Sequence, residues 1–147
     1  MTEWTEIKAA ITLALSGDRE GGSREMARCW EGLGDDQHAQ QCVLAHYLAD
    51  VQDDLDSEVI WDERALVAFG LVGENDLDSI GIVSAAGLAP SLHLNLGDCY
   101  LRQGRVEEAR GQLQAGMAAA AVLGGDGYGT MIRSGLDGLG ARLGSHP

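Results

Sequence analysis

The chain has 147 residues, enough for one domain with a core of ordinary size. Its formal net charge is -13, from 10 basic and 23 acidic residues. Nucleic acids and anionic membrane surfaces are therefore not expected as partners, because both are bound mainly through lysine and arginine. The charge favours solubility, and it leaves a basic partner protein as an alternative.

Composition and hydrophobic spacing favour an all-α protein. The chain has only two prolines, and aromatic residues make up 5%. Most apolar residues recur at helical rather than alternating spacing. No segment approaches the roughly 20 apolar residues that span a bilayer, and the acidic start does not resemble a secretory signal. The odd number of cysteines, three, is typical of reduced thiols, so we expect a cytoplasmic protein.

Loops rich in glycine and aspartate divide the helical pattern into pairs of helices. In the first pair, a loop at residues 16–22 and an N-cap at Ser23 are expected to start the second helix. Gly81 and Gly87 weaken the helix predicted between the second and third pairs. In chain order, the pattern predicts hairpins at about 3–33, 37–71 and 90–123, an extra helix at about 76–88 in between, and a capping helix at about 128–143.

The third hairpin carries the most specific pattern in the sequence. It reads Leu-Gly-x-x-Tyr from Leu96 and Gly-x-Val-x-x-Ala-x-x-x-Leu from Gly104. Gly97 and Ala109 are small enough to let two helices approach closely, and Gly104 suits a left-handed residue at a helix end. The pattern resembles one tetratricopeptide repeat (TPR), an antiparallel helix pair of about 34 residues.

The resemblance to the TPR family is strong over residues 90–122. His93 departs from it, because the family usually has a tryptophan there, and Leu113 replaces the usual aromatic residue of the second helix. The chain is also similar to actinobacterial TPR-containing proteins of unassigned role, especially over residues 42–50 and 91–96. The resemblance implies an all-α fold of antiparallel hairpins stacked as a short α-solenoid, a right-handed superhelix, closed by a capping helix. It also implies a protein-interaction scaffold rather than an enzyme.

In the TPR family, the first helices of successive hairpins form a concave groove that takes peptides or helices. The resemblance implies that Asn95, Asp98 and Arg102 face this groove, with His46 and Asp50 as the matching residues one hairpin earlier. Asn95 also matches an asparagine with which some family members grip a peptide carboxylate. The lysines of such a clamp are absent, so a carboxylate ligand is not favoured. These observations predict an acidic groove for a peptide or helix of a partner; alternatively, the five residues are only solvated polar side chains.

The sequence also offers two alternatives to a binding groove. The first is a homodimer, in which the glycine-weakened capping helix pairs with its twin through Ile132, Leu136 and Leu139. The second is a metal site on the stripe at His38, Cys42, His46 and Asp50. Each four-residue step turns a helix by about 40°, so this stripe spirals away from any single ion.

Motifs for catalysis and for cofactors are also missing from the sequence. No C-x-x-C, H-E-x-x-H or G-x-S-x-G motif occurs, and an EF-hand read from Asp50 would place Leu55 where glycine is required. We therefore expect no catalytic residues, no metal and no cofactor.

Overall fold

The computed structural model describes residues 1–82 and 84–145, and these residues form an all-helical protein. This confirms the predicted all-α class. Within those ranges there is no strand and no helix long and apolar enough to cross a membrane. The α-helices are α1 (Trp4–Leu15), α2 (Arg19–Glu31), α3 (His38–Asp50), α4 (Leu55–Phe69), α5 (Ala89–Arg102), α6 (Val106–Ala119) and α7 (Gly127–Gly144).

Aspartate side chains start three of these helices. The carboxylates of Asp18, Asp54 and Asp126 each accept a hydrogen bond at 2.9 Å from the backbone N–H three residues further along. Such N-caps satisfy N–H groups that have no partner within the helix, and each typically stabilises a helix by about 1 kcal/mol. The acidic loops of the sequence therefore mark the starts of α2, α4 and α7.

The helix α2 begins at Arg19, so the predicted loop to residue 22 and N-cap at Ser23 are wrong. Gly21 and Gly22 are buried within the helix. A Cβ atom on Gly22 would lie 2.4 Å from Ala14 Cβ and 2.6 Å from its backbone nitrogen. This glycine is therefore needed for the close crossing of α1 and α2, and not for a turn.

Successive helices pack side by side in three pairs, α1 with α2, α3 with α4, and α5 with α6. The loops within the pairs are short, so the chain reverses direction in each. In the third pair the reversal is made by Gly104, which has a left-handed φ of 79°. Between the pairs, α4 packs on α5, and α7 packs on both α5 and α6.

The helix predicted at residues 76–88 is absent from the described part of that segment. Two short 3₁₀ turns, Asp78–Ile80 and Ala85–Leu88, replace it. Gly81 has a φ of 87°, a left-handed conformation that ends the first turn and is incompatible with a continuous helix. The segment is nevertheless anchored, because the fully buried Leu77 packs against Val43 of α3.

The core continues from one helix pair to the next. Ile7, Met26 and Leu44 fill the space between α1, α2 and α3. Val59, Leu96 and Leu139 join α4, α5 and α7. The apolar stripe of α7 is buried against its own chain, so it does not offer the free dimer surface expected from the sequence. That stripe consists of Ile132, Leu136 and Leu139.

Gly97 lies where α5 approaches both α6 and α7. A Cβ atom there would lie 3.6 Å from the Ala109 carbonyl oxygen, 3.2 Å from Gln112 Cβ and 2.8 Å from Leu139 Cδ2. We expect Gly97→Ala to change stability little, because a helix-propensity gain of about 1 kcal/mol opposes the displacement of Leu139. Gly97→Leu should lower the free energy of unfolding by about 1–3 kcal/mol through overpacking. Urea unfolding measures both.

Gly111 on α6 is the matched control, because a Cβ atom there would meet nothing within 4 Å. Gly111→Ala and Gly111→Leu should have nearly equal effects on stability. Equal effects of Ala and Leu at Gly97 as well would contradict the close approach of the three helices.

Candidate functional site

The described residues enclose an open cleft of about 930 Å³. The helices α1, α3, α5 and the start of α7 line it, together with the segment that precedes α5. Most of its wall is apolar. The apolar side chains include Trp4, Ile7, Ile11, Val43, Tyr47, Leu88, Val122 and Met131.

Three of the five predicted groove residues, His46, Asp50 and Asn95, line this cleft. The amide nitrogen of Asn95 lies 3.4 Å from Nδ1 of His46, which brings α5 and α3 together. Burial lowers the pKa of His46, and the nearby carboxylate of Asp50 opposes this effect. The imidazole is therefore neutral near pH 7. With its proton on Nε2, it accepts a hydrogen bond from the Asn95 amide.

The other two predicted residues, Asp98 and Arg102, are not among the residues that line the cleft. They belong to a network of ion pairs between α4, α5 and α7. Arg102 bonds Asp98 at 2.9 Å and Glu58 at 2.6 Å, and Arg142 bonds Asp98 at 2.7 Å. The structure therefore divides the predicted set into a cleft group and an ion-paired group.

The lining of the cleft carries little net charge. Its charged side chains are Lys8, Asp50 and Asp126, with His46 neutral. The high negative charge of the chain thus lies mostly outside the cleft. Complementarity to an apolar surface therefore matters more here than complementarity to a basic one, in contrast to the acidic groove expected from the sequence.

A second polar group is buried where α4 meets α5. Asp62 is only 4% exposed, and Cys99 is fully buried. The thiol of Cys99 donates to Glu58 Oε2 at 3.1 Å or to Asp62 Oδ2 at 3.2 Å, and it also accepts a hydrogen bond from Arg102 at 3.3 Å. We call Glu58, Asp62 and Cys99 the α4–α5 triad.

The α4–α5 triad is the group in the described residues whose side chains could together hold a metal ion. Its three ligand atoms lie within 4.8 Å of one another. In the described chain, the stripe at His38, Cys42, His46 and Asp50 does not form such a group.

The pKa of Asp62 is raised to about 7, mainly by burial and to a smaller extent by the charges of Glu58 and Asp50. The hydrogen bond from Cys99 and the charge of Arg102 act in the opposite direction. Burial also raises the pKa of Cys99, as does its hydrogen bond to Glu58. The thiol is therefore protonated at neutral pH, unlike a catalytic cysteine, which reacts as a thiolate.

The sequence offered little to identify the α4–α5 triad. Glu58 and Asp62 are four residues apart on α4, a spacing common on solvated helices. Cys99 follows Asp62 by 37 residues, so tertiary packing alone brings the thiol to the carboxylates.

Comparison with protein-family models, curated proteins and solved structures gives no match for this chain.

The raised pKa of Asp62 predicts a pH-dependent stability. An ordinary pKa of 3.8 becomes about 7 in the folded chain, so the folded state holds more protons between these values. The contribution of Asp62 to the stability of the fold must therefore fall as the pH rises from the lower to the higher of these two pKa values. In buffer with EDTA, the stability of the Asp62→Asn variant relative to the unmodified chain should rise by about 1–3 kcal/mol from pH 5 to pH 8. A difference that stays constant with pH would mean that Asp62 has an ordinary pKa.

Proposed function

We propose that this chain is a protein-interaction module that binds a peptide or helix of a partner in its cleft. The observation that carries the proposal is the open apolar cleft of about 930 Å³ on the side of α1, α3 and α5. These are the first helices of the three pairs. The TPR-like pattern from Leu96 to Leu113 supports the same reading, in which the pairs form a short TPR-like α-solenoid closed by α7.

The size and chemistry of the cleft favour one face of a helix or a short peptide as the ligand. Binding clefts for small ligands measure about 300–1,000 Å³, and a helix with its side chains is about 10–12 Å wide. The cleft therefore accommodates a few apolar side chains rather than a whole domain. His46 and Asn95 supply polar groups that would orient the bound segment, and Asp50 would accept a basic side chain.

Other properties of the chain are compatible with a binding role in the cytoplasm. All three cysteines, Cys29, Cys42 and Cys99, are buried and free, as is typical of reducing compartments. The binding role proposed here requires no catalytic group and no cofactor.

The exposed rim of the cleft provides the test. Met131 lines the cleft and is 62% exposed, whereas Met117 on α6 is 55% exposed and is not among the lining residues. A photo-cross-linking amino acid at Met131 should capture a defined partner from cells, and the same amino acid at Met117 should not. Mass spectrometry identifies the partner. The partner's affinity should then fall at least about tenfold in the Met131→Glu variant.

The Met117→Glu variant is the matched control and should bind the partner like the unmodified chain. Equal capture at both positions, or equal affinity of both variants, would remove the cleft as the binding surface.

A homo-oligomerisation module is the second candidate function. The specific observation that favours it is an exposed apolar strip formed by Ile60 and Val67 of α4 and by Leu71, which lies just beyond the end of that helix. Ile60 and Val67 are 7 residues apart, the spacing of one helix face.

Light scattering tests whether the chain forms such an oligomer. If the strip joins two copies, the unmodified chain should have the mass of a dimer at tens of micromolar, and Val67→Glu should convert it to a monomer. A monomeric unmodified chain would exclude the dimer.

A further inference from the structure

Among the described residues, no cationic side chain forms an ion pair with the carboxyl group of Asp62. It is 4% exposed, and the described hydrogen bond to it comes from the thiol of Cys99. The guanidinium of Arg102 bonds Glu58 and Cys99 instead. Buried charges in proteins are normally paired with an opposite charge or coordinate a metal.

We propose that the α4–α5 triad, Glu58, Asp62 and Cys99, binds a divalent thiophilic metal ion, with Zn²⁺ the best match. This metal site lies outside the apolar cleft, and it does not depend on the binding function proposed for the cleft. Zinc accepts thiolate and carboxylate ligands together, whereas Mg²⁺ and Ca²⁺ prefer oxygen alone. A water molecule would complete four-coordination.

The geometry of the α4–α5 triad is close to that of a zinc site. Glu58 and Asp62 project from successive turns of α4, and Cys99 faces them from α5. The sulfur lies 3.1 Å and 3.2 Å from the two carboxylate oxygens. Tetrahedral zinc with bonds of roughly 2.0–2.3 Å separates its ligand atoms by roughly 3.3–3.8 Å. The two sulfur–oxygen separations are slightly shorter than this range, and all three ligand atoms lie within 4.8 Å of one another, so side-chain rotations would admit the ion.

Arg102 competes with a metal ion for this site, because its guanidinium donates hydrogen bonds to Glu58 and Cys99. It has an alternative partner, since its Nε already bonds Asp98 at 2.9 Å. When Glu58 turns to the metal, Arg102 can stay paired with Asp98. Glu58 is also partly exposed, so it leaves a path for the ion and for the water ligand.

Metal binding at this site requires the release of protons. The Cys99 thiol gives up its proton to form the S–Zn bond, and Asp62 gives up a proton wherever it holds one. Both protons pass to solvent, and no electron is transferred. Apparent zinc affinity should therefore increase with pH.

Titration of the tag-free, metal-free chain with zinc chloride tests the proposal. We expect one equivalent to bind and the melting temperature to rise. Cobalt(II) bound in its place should show a sulfur-to-cobalt charge-transfer absorption. The Cys99→Ser variant should lose this absorption, and both Cys99→Ser and Asp62→Asn should bind zinc at least about tenfold more weakly.

Cys42→Ser is the matched control, because Cys42 is also a fully buried free cysteine but lies outside the triad, on α3. It should keep the cobalt absorption and the zinc affinity. Loss of both in Cys42→Ser with unchanged helicity, or their retention in Cys99→Ser, would overturn the proposal. So would less than about a tenth of an equivalent of bound zinc in the unmodified chain, since real sites bind tightly.

X-ray absorption at the zinc edge decides the matter even if a variant fails to fold, because it uses the unmodified chain. One sulfur at about 2.3 Å together with oxygen ligands is expected. A shell without sulfur, or with two or more sulfurs, would overturn the proposal.

Discussion

The contact between α4 and α5 joins the first two helix pairs to the third pair and α7, and the relative placement of these parts depends on it. It has an apolar side, where Val59 packs on Leu96 and its neighbours. Its polar side is a row of contacts from α4 to α5, in which Glu58 meets Arg102, Asp62 meets Cys99, and Glu63 meets Tyr100. Burying polar groups at such a junction costs stability unless each has a partner, so the contact constrains which residues can occupy both helices.

Local signals in the sequence were enough to predict the α-helices of the described chain, but they also predicted a helix at residues 76–88 that is absent from its described part, and they placed the start of α2 too late. Asp54 and Asp126 act on N–H groups three residues away, so their effect is visible in the sequence itself. Glycine is harder to interpret, because one residue type serves two different needs. Gly22 was assigned to a loop but permits a helix crossing, whereas Gly81 was assigned to a helix but ends a turn.

For the candidate site, too, the sequence predicted only part of the arrangement of the side chains. His46, Asp50 and Asn95 were predicted from the resemblance to groove positions of the TPR family, and the structure brings them to one cleft. Asp98 lies one turn beyond Asn95 on α5, but Arg142 of α7 reaches it. Whether a polar residue faces a ligand or an ion pair thus depends on partners about 40 residues away, which helix periodicity does not identify.

Asp50 links the two polar regions of the molecule. It lines the cleft, and its negative charge also raises the pKa of Asp62 in the α4–α5 triad. A divalent cation held by the triad would offset part of the negative potential at Asp50. A basic partner segment placed against Asp50 would therefore gain less when the metal is bound. Because linkage is reciprocal, that segment would weaken metal binding by the same factor. The two proposed sites would thus be coupled through one carboxylate, without a conformational change.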